Sequence, residues 1–391
     1  MKYNFDKVID RSGTSAEKVE GLKHIWGRTD LIPLWVADMD FATAPFVTDA
    51  IRKRCENEVL GYTGKPDSYY NAIINWVKQR YDLIVTKEVI NFVPGIVPGI
   101  GMAMNCFTQK GDKVMIQPPV YHPFAWVTTR NERTLVINPL RWENGMYRMD
   151  LDAFREQIKG CKLFILCNPH NPGGVVWTEA ELRAIADICY DEKVLVFSDE
   201  IHADLTLPPH THRPYATVSE KARINSVTFM SPSKAFNMPG LSASHALIFN
   251  EDLRKRFRIY MDAGELDMGH VFAFLSVEAA YSHGTEWLDQ CLAYIQGNID
   301  FVDEFLKKHA PKIKAIRPEA SYLVWLDCRE LELSQKDLNE FFVDKAHLAL
   351  NDGEMFGKEG IGFMRLNVAS PRCIIEKAMK QLADAYQLYI K

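Results

Sequence analysis

Asn225-Ser-Val-Thr-Phe-Met230 runs directly into Ser231-Pro-Ser-Lys-Ala-Phe236. The first six residues form a short apolar, β-branched run and read as a buried strand. Lys234 follows the strand end, with the hydroxyls of Ser231 and Ser233 three residues and one residue before it. Such a lysine can form a Schiff base with a phosphorylated aldehyde, while hydroxyls and backbone amides take the phosphate. The same residues also suit a surface loop with a solvated lysine, because short motifs match by chance. The surrounding chain has to decide.

Upstream, strand and helix patterns alternate. Lys113–Gln117, Thr134–Asn138, Leu163–Cys167 and Val194–Phe197 read as strands, and Ala246–Phe249 follows as another. Leu163-Phe-Ile-Leu-Cys167 is continuously apolar, as a strand covered on both faces should be. Asp150 and Thr178-Glu-Ala-Glu181 read as helix caps between strands. This alternation predicts an α/β domain with a mostly parallel sheet. Such sheets bind ligands beyond the carboxyl ends of their strands. Polar clusters stand at three of those ends: Asn168-Pro-His-Asn-Pro-Gly-Gly174, Ser198-Asp-Glu-Ile-His202 and Ser231–Lys234. Their convergence on one crevice favours chemistry over a plain loop.

Nearer the N-terminus, residues 1 to about 30 read as polar and irregular. Leu31-Ile-Pro-Leu-Trp-Val-Ala-Asp-Met-Asp-Phe41 sets two carboxylates among bulky apolar residues. Buried carboxylates need partners, so Asp38 and Asp40 either turn near a site or, with Thr43, cap the helix beginning at Ala44-Pro45. Leu60-Gly-Tyr-Thr-Gly64 is a glycine-flanked turn, and Tyr69–Tyr81 a helix. Ile90–Val93 leads through Pro94-Gly95 towards a helix over Ile100–Phe107. That makes a second candidate phosphate site, and equally an ordinary strand-to-helix turn. Beyond about residue 285 the pattern becomes a smaller α+β unit: a long helix from Glu286, strands at Tyr322–Leu326 and Gly362–Val368, and a helix capped by Ser334. The expected domains are a segment 1–45 joining the small domain, a large domain 46–285 and a small domain 286–391.

The 391 residues are 47% hydrophobic and 25% charged, with a formal net charge of -5. No basic stripe invites nucleic acid, and no apolar run or signal core invites a membrane. Eight scattered cysteines without a C-x-x-C pair suggest reduced thiols, no metal site and a cytoplasmic location.

A pyridine aldehyde in the crevice would need a carboxylate at its ring nitrogen, for which Asp199 is the candidate. Asn171 and His202 could donate to its ring oxygen, and Tyr121 could stack on its face. Arg365 offers a bidentate fork to a substrate carboxylate. Taken singly, each has a structural alternative as a cap, a turn former, a satisfied histidine, a core ring or a salt-bridged arginine.

Together these motifs resemble the fold-type I pyridoxal-phosphate (PLP) enzymes, the class I/II aminotransferase superfamily. The resemblance spans nearly the whole chain and rests on Asn168–Gly173, Ser198–His202, Ser231–Lys234 and Arg365-Leu-Asn-Val-Ala369. Pro33–Phe41, Gly61-Tyr-Thr-Gly64 and the Asp-Glu-Ile-His form resemble the cystathionine β-lyase branch of the MalY/PatB type. The resemblance implies that Lys234 holds PLP by a Schiff base and later moves the Cα proton. It implies that Asp199 pairs with the ring nitrogen, that Asn171 bonds the ring hydroxyl, and that Tyr121 stacks. His202 stands where many relatives have a tyrosine. Ser231, Ser233 and the amides of Ile96 and Val97 hold the phosphate, and Tyr62 reaches the phosphate of a second subunit in a homodimer. Arg365 binds the substrate carboxylate, with Asn171 and the backbone near Val36 and Ala37.

One departure stands out: Ala235–His245 contains no arginine, whereas aspartate aminotransferases carry one shortly after the lysine. With no obvious arginine for a distal carboxylate either, the expected reaction is thiol elimination from cystathionine or another cysteine S-conjugate. An aminotransferase is the alternative, and an added protein–protein regulatory role is a further one.

Overall fold

The computed structural model describes residues 1–389. Its central sheet has seven strands: β1 (Ile90–Val93), β2 (Lys113–Ile116), β3 (Thr134–Ile137), β4 (Cys161–Cys167), β5 (Leu195–Asp199), β6 (Ser226–Met230) and β7 (Ser244–Leu247). Their order across the sheet is β1-β7-β6-β5-β4-β2-β3. β7 runs antiparallel to β1 and β6, and every other neighbouring pair is parallel.

β4 shows why the apolar run forms a central strand. Leu163, Ile165 and Cys167 enter one core cluster, while Phe164 and Leu166 enter another on the opposite face. Side chains alternate along a strand, so both faces are covered. Ile165 is 1% exposed; truncating such a side chain to alanine costs about 2–5 kcal/mol.

The helix after β1 spans Ile96–Phe107, starting a turn earlier than its apolar pattern suggests. Pro98 is tolerated in its first turn, where the backbone N–H has no intrahelical partner. A Cβ on Gly99 would lie 2.9 Å from Val93 Cγ2 and 3.1 Å from Phe229 Cε1. Glycine here lets the helix sit tightly on β1 and β6.

A second sheet is wholly antiparallel: β8 (Lys314–Ile316), β9 (Leu323–Asp327), β10 (Asn351–Asp352) and β11 (Phe363–Asn367), in the order β8-β9-β11-β10. Helices Thr285–His309 and Arg372–Tyr389 pack together. The N-terminal stretch reaches this region: Ile32–Pro33 pairs in parallel with Leu348–Ala349.

Residues 1–30 are not wholly irregular. Glu17–Trp26 is a helix ending at Gly27, whose φ of 66° suits glycine. Its buried face is Lys18, Gly21 and Leu22, so a lysine occupies a position where apolar periodicity would have revealed the helix. Asp38, Asp40 and Thr43 do not cap the next helix, Pro45–Cys55, which has no side-chain cap. No helix among the described residues is long and apolar enough to cross a membrane.

Candidate active site

Adjacent strands β4, β5 and β6 end together. Asp199, the last residue of β5, lies opposite Cys167 of β4 and Phe229 of β6. It therefore sits between the loop carrying Asn171 and the turn carrying Lys234. A cavity of about 200 Å³ opens there, walled by Tyr121, Asn171, Asp199, His202, Ser233 and Lys234. Ile96 and Val97, at the N-terminus of their helix, close one end, and Ala37 arrives from the N-terminal segment.

Burial sets the charges. Asp199 is pushed up to about 7 by burial and by the neighbouring Glu200, against the Ile201 N–H and Lys234. Its carboxylate accepts one hydrogen bond, from Ile201 N at 3.0 Å. Lys234 is lowered to about 8 by burial and by Arg365, against the attraction of Asp38 and Asp199. Its Nζ donates to Ala37 O at 2.5 Å. Burial lowers His202 to about 3, with Lys234 and Arg365 adding to the effect, so its imidazole is neutral. Its Nδ1 has no hydrogen-bond partner. Burial also raises the Tyr121 hydroxyl, which stays protonated.

Arg365, in the middle of β11, is 3% exposed. Its Nη1 donates to Asn171 Oδ1 at 3.0 Å, and its Nη2 to Asn351 Oδ1 at 2.5 Å and Trp35 O at 3.2 Å. Its Nε is buried without a partner, and among the described residues no carboxylate pairs with it. Burial lowers it to about 10, so it stays cationic at neutral pH. A buried guanidinium with no carboxylate partner, bonded to Asn171 of the cavity wall, has the chemistry to receive an anion.

Three expected residues are not in the cavity wall: Arg365, which bonds Asn171 of that wall, and Ser231 and Tyr62. Ser231 stands behind the cavity wall: its hydroxyl reaches Ala243 O at 2.7 Å and Ser233 Oγ at 2.8 Å, and accepts from Ser233 N. It orders the turn rather than facing the cavity. Tyr62 is 97% exposed on a loop away from this chain's own cavity.

Sequence reasoning missed the support beneath Ala37. Asn367, also on β11, donates to Val36 O and Asp38 O at 2.7 Å each, and Tyr322 OH to Ala37 O at 3.0 Å. Arg11 pairs with Asp38 at 2.6 Å and Asp40 at 3.1 Å, and the fully buried Lys18 with Asp40 at 2.8 Å. These are the partners that the two carboxylates required. The only signal in the sequence was that requirement itself.

The cavity fits PLP. A buried carboxylate with one hydrogen bond suits a protonated ring nitrogen, and the unpartnered His202 Nδ1 awaits a polar neighbour. The free amides at a helix N-terminus suit a phosphate. Comparison with known proteins agrees with this geometry. Residues 29–382 match the family model described as Aminotransferase class I and II. The chain is 38% identical to Cystathionine beta-lyase PatB of Bacillus subtilis (strain 168), covering 98% of this chain and 99% of that one. It is 30% identical to Protein MalY of Escherichia coli (strain K12), covering 98% of each. Its structure matches PLP-containing cystalysin from Treponema denticola with a TM-score of 0.96 and 33% identity, over all of both chains. Strand order, strand-end residues and full-length similarity agree, and the chain belongs to the aminotransferase class I and II family.

Proposed function

We propose that this protein is a PLP-dependent carbon–sulfur β-lyase acting on cystathionine or related cysteine S-conjugates, with pyruvate, ammonia and a thiol as products. The observation that carries the substrate class is the cation count. Arg365, bonded to Asn171 of the cavity wall, is one guanidinium without a carboxylate partner, and the described wall residues include no arginine. That suits an amino acid with a single anchored carboxylate. Relatives named cystathionine β-lyase, similar over nearly the whole chain, favour sulfur elimination over transamination.

PLP supplies the electron sink that takes up the charge left at Cα. Lys234 would anchor it, and Asp199, ionised beside a cationic ring nitrogen, would keep that sink effective. Asn171 and His202 would donate to the ring oxygen, Tyr121 would stack, and Ser233 with the Ile96 and Val97 amides would bind phosphate. Arg365 and the backbone at Val36 and Ala37 orient the substrate carboxylate. Once the substrate amine has displaced it and its own amine is free, Lys234 Nζ would take the Cα proton. The Cβ–S bond breaks, its electron pair leaving with the thiolate. Water hydrolyses the released enamine to pyruvate and ammonia.

The reading includes a cytoplasmic homodimer in which Tyr62 completes the phosphate site of the partner. The exposure of Val59 at 72% and Leu60 at 60% on the same loop supports a covering surface. It also keeps the division at about residues 45 and 285. The deciding experiment is pyruvate release from cystathionine and a panel of S-substituted cysteines with no keto acid added. Pyruvate is expected; turnover only when a keto acid is supplied would instead assign an aminotransferase.

A further inference from the structure

We propose that Asn237 is a positioning residue that fixes the Lys234 amine against the strap of residues 35–41, which carries the substrate-carboxylate site. The inference rests on the PLP-dependent proton transfer proposed above.

Asn237 lies three residues past Lys234, with φ at 53°. That left-handed conformation is strained for a non-glycine residue and persists where surrounding bonds hold it. Asparagine is among the residues that tolerate it best. Here the side-chain amide closes both ways on the strap. Oδ1 accepts from Met39 N at 3.0 Å, while Nδ2 donates to Met39 O at 3.0 Å and Phe41 O at 2.7 Å. Thr43 Oγ1 donates to the Asn237 carbonyl at 2.7 Å. Four hydrogen bonds thus weld the lysine turn to a segment almost two hundred residues away in sequence.

The same strap carries Ala37, whose carbonyl accepts from Lys234 Nζ at 2.5 Å, and Trp35, whose carbonyl accepts from Arg365 at 3.2 Å. The base and the carboxylate receptor are therefore both referenced to one piece of backbone. Arg365 and Asn367 tie that piece to β11, and Asn237 ties it to the lysine. Asn237 is absent from the cavity wall, so its effect passes through Lys234 and the strap. A misplacement of the base by about 1 Å costs on the order of 100-fold in rate.

The test uses the holoenzyme of Asn237→Asp and Asn237→Gly. Aspartate keeps the acceptor for Met39 N–H and loses both donors. Glycine keeps the backbone conformation and loses the whole amide. The readouts are Cα-hydrogen exchange of L-alanine in D2O, pyruvate release, the Cα-deuterium isotope effect and the thermal transition. Alanine has no leaving group, so its exchange reports proton transfer whether or not elimination follows. Both variants should retain the Schiff-base absorbance, exchange roughly 10- to 100-fold more slowly and show a larger isotope effect, with little change in KM. Exchange at the wild-type rate with only a lowered Tm would overturn the proposal. If the unsubstituted enzyme exchanges alanine but releases no pyruvate from S-substituted cysteines, while both variants exchange more slowly, the lyase reading falls and the positioning role is supported.

Discussion

Arg365 Nη1 donates to Asn171 Oδ1 at 3.0 Å, a bond that joins strand β11 of the small sheet to the loop after β4 of the large one. The proposed carboxylate receptor and the proposed ring-hydroxyl ligand are thereby one unit.

Asn171→Ala should disturb both functions. It removes an acceptor from a buried guanidinium, and a hydrogen bond to a charged group is worth about 1.5–3 kcal/mol. KM for an S-substituted cysteine and the Kd for PLP should both rise, whereas Arg365→Lys should raise KM alone by about tenfold or more (about 1.4 kcal/mol per tenfold). Steady-state kinetics and a PLP titration separate the two.

Asp199→Asn should bind PLP and lose most activity, because the ring nitrogen is no longer held cationic. It should also change how the cofactor-free protein responds to pH. Burial raises Asp199 from 3.8 to about 7. The folded state thus holds more protons than the unfolded one in that range, so this residue lowers stability as pH rises from about 4 to 7. The stability of Asp199→Asn relative to wild type should therefore increase across that window, measured by urea unfolding.

His245, next to Ser244 of the cavity wall but not itself in that wall, is fully buried with neither ring nitrogen hydrogen-bonded. Burial lowers it from 6.5 to about 3, so the unfolded state binds the extra proton first. The stability from keeping it neutral is present above 6.5 and lost as pH falls towards 3. His245→Leu should be more acid-resistant than wild type, by a margin that grows between pH 6.5 and 4 in thermal scans.

Arg11→Ala should shift the chemistry of Lys234 without touching the cavity. Arg11 neutralises Asp38, and Asp38 is the leading charge that raises the proton affinity of Lys234. With Arg11 gone, the spectral titration of the holoenzyme should move to higher pH. Arg11→Ala/Asp38→Asn should reverse the shift; an unmoved titration would show that the pair is screened.

If Tyr62 serves a partner subunit, mixing Tyr62→Ala with Lys234→Ala should restore part of the activity that each variant lacks. In the mixed dimer one site receives an intact lysine from one chain and an intact tyrosine from the other. An activity assay after joint refolding reads the outcome.

The central strands and the residues at their ends were legible in the sequence, because those signals are local. A run such as Leu163–Cys167 states its own burial, and Asn171, Asp199 and Lys234 follow such runs at fixed short offsets. The apolar pattern could not show that β7 is antiparallel, since a run fully buried on both faces looks the same in either direction. It hid the helix Glu17–Trp26, whose inward face is led by a lysine. Nor could it separate Ser233, in the cavity wall, from Ser231 behind it. The sequence by itself named the side chains proposed to carry the chemistry. The tertiary structure decided what holds them, because the bonds of Asn237 to Met39, Asn367 to Val36 and Arg11 to Asp38 depend on how distant segments dock. Hydrogen-bond geometry is fixed only once packing has placed both partners.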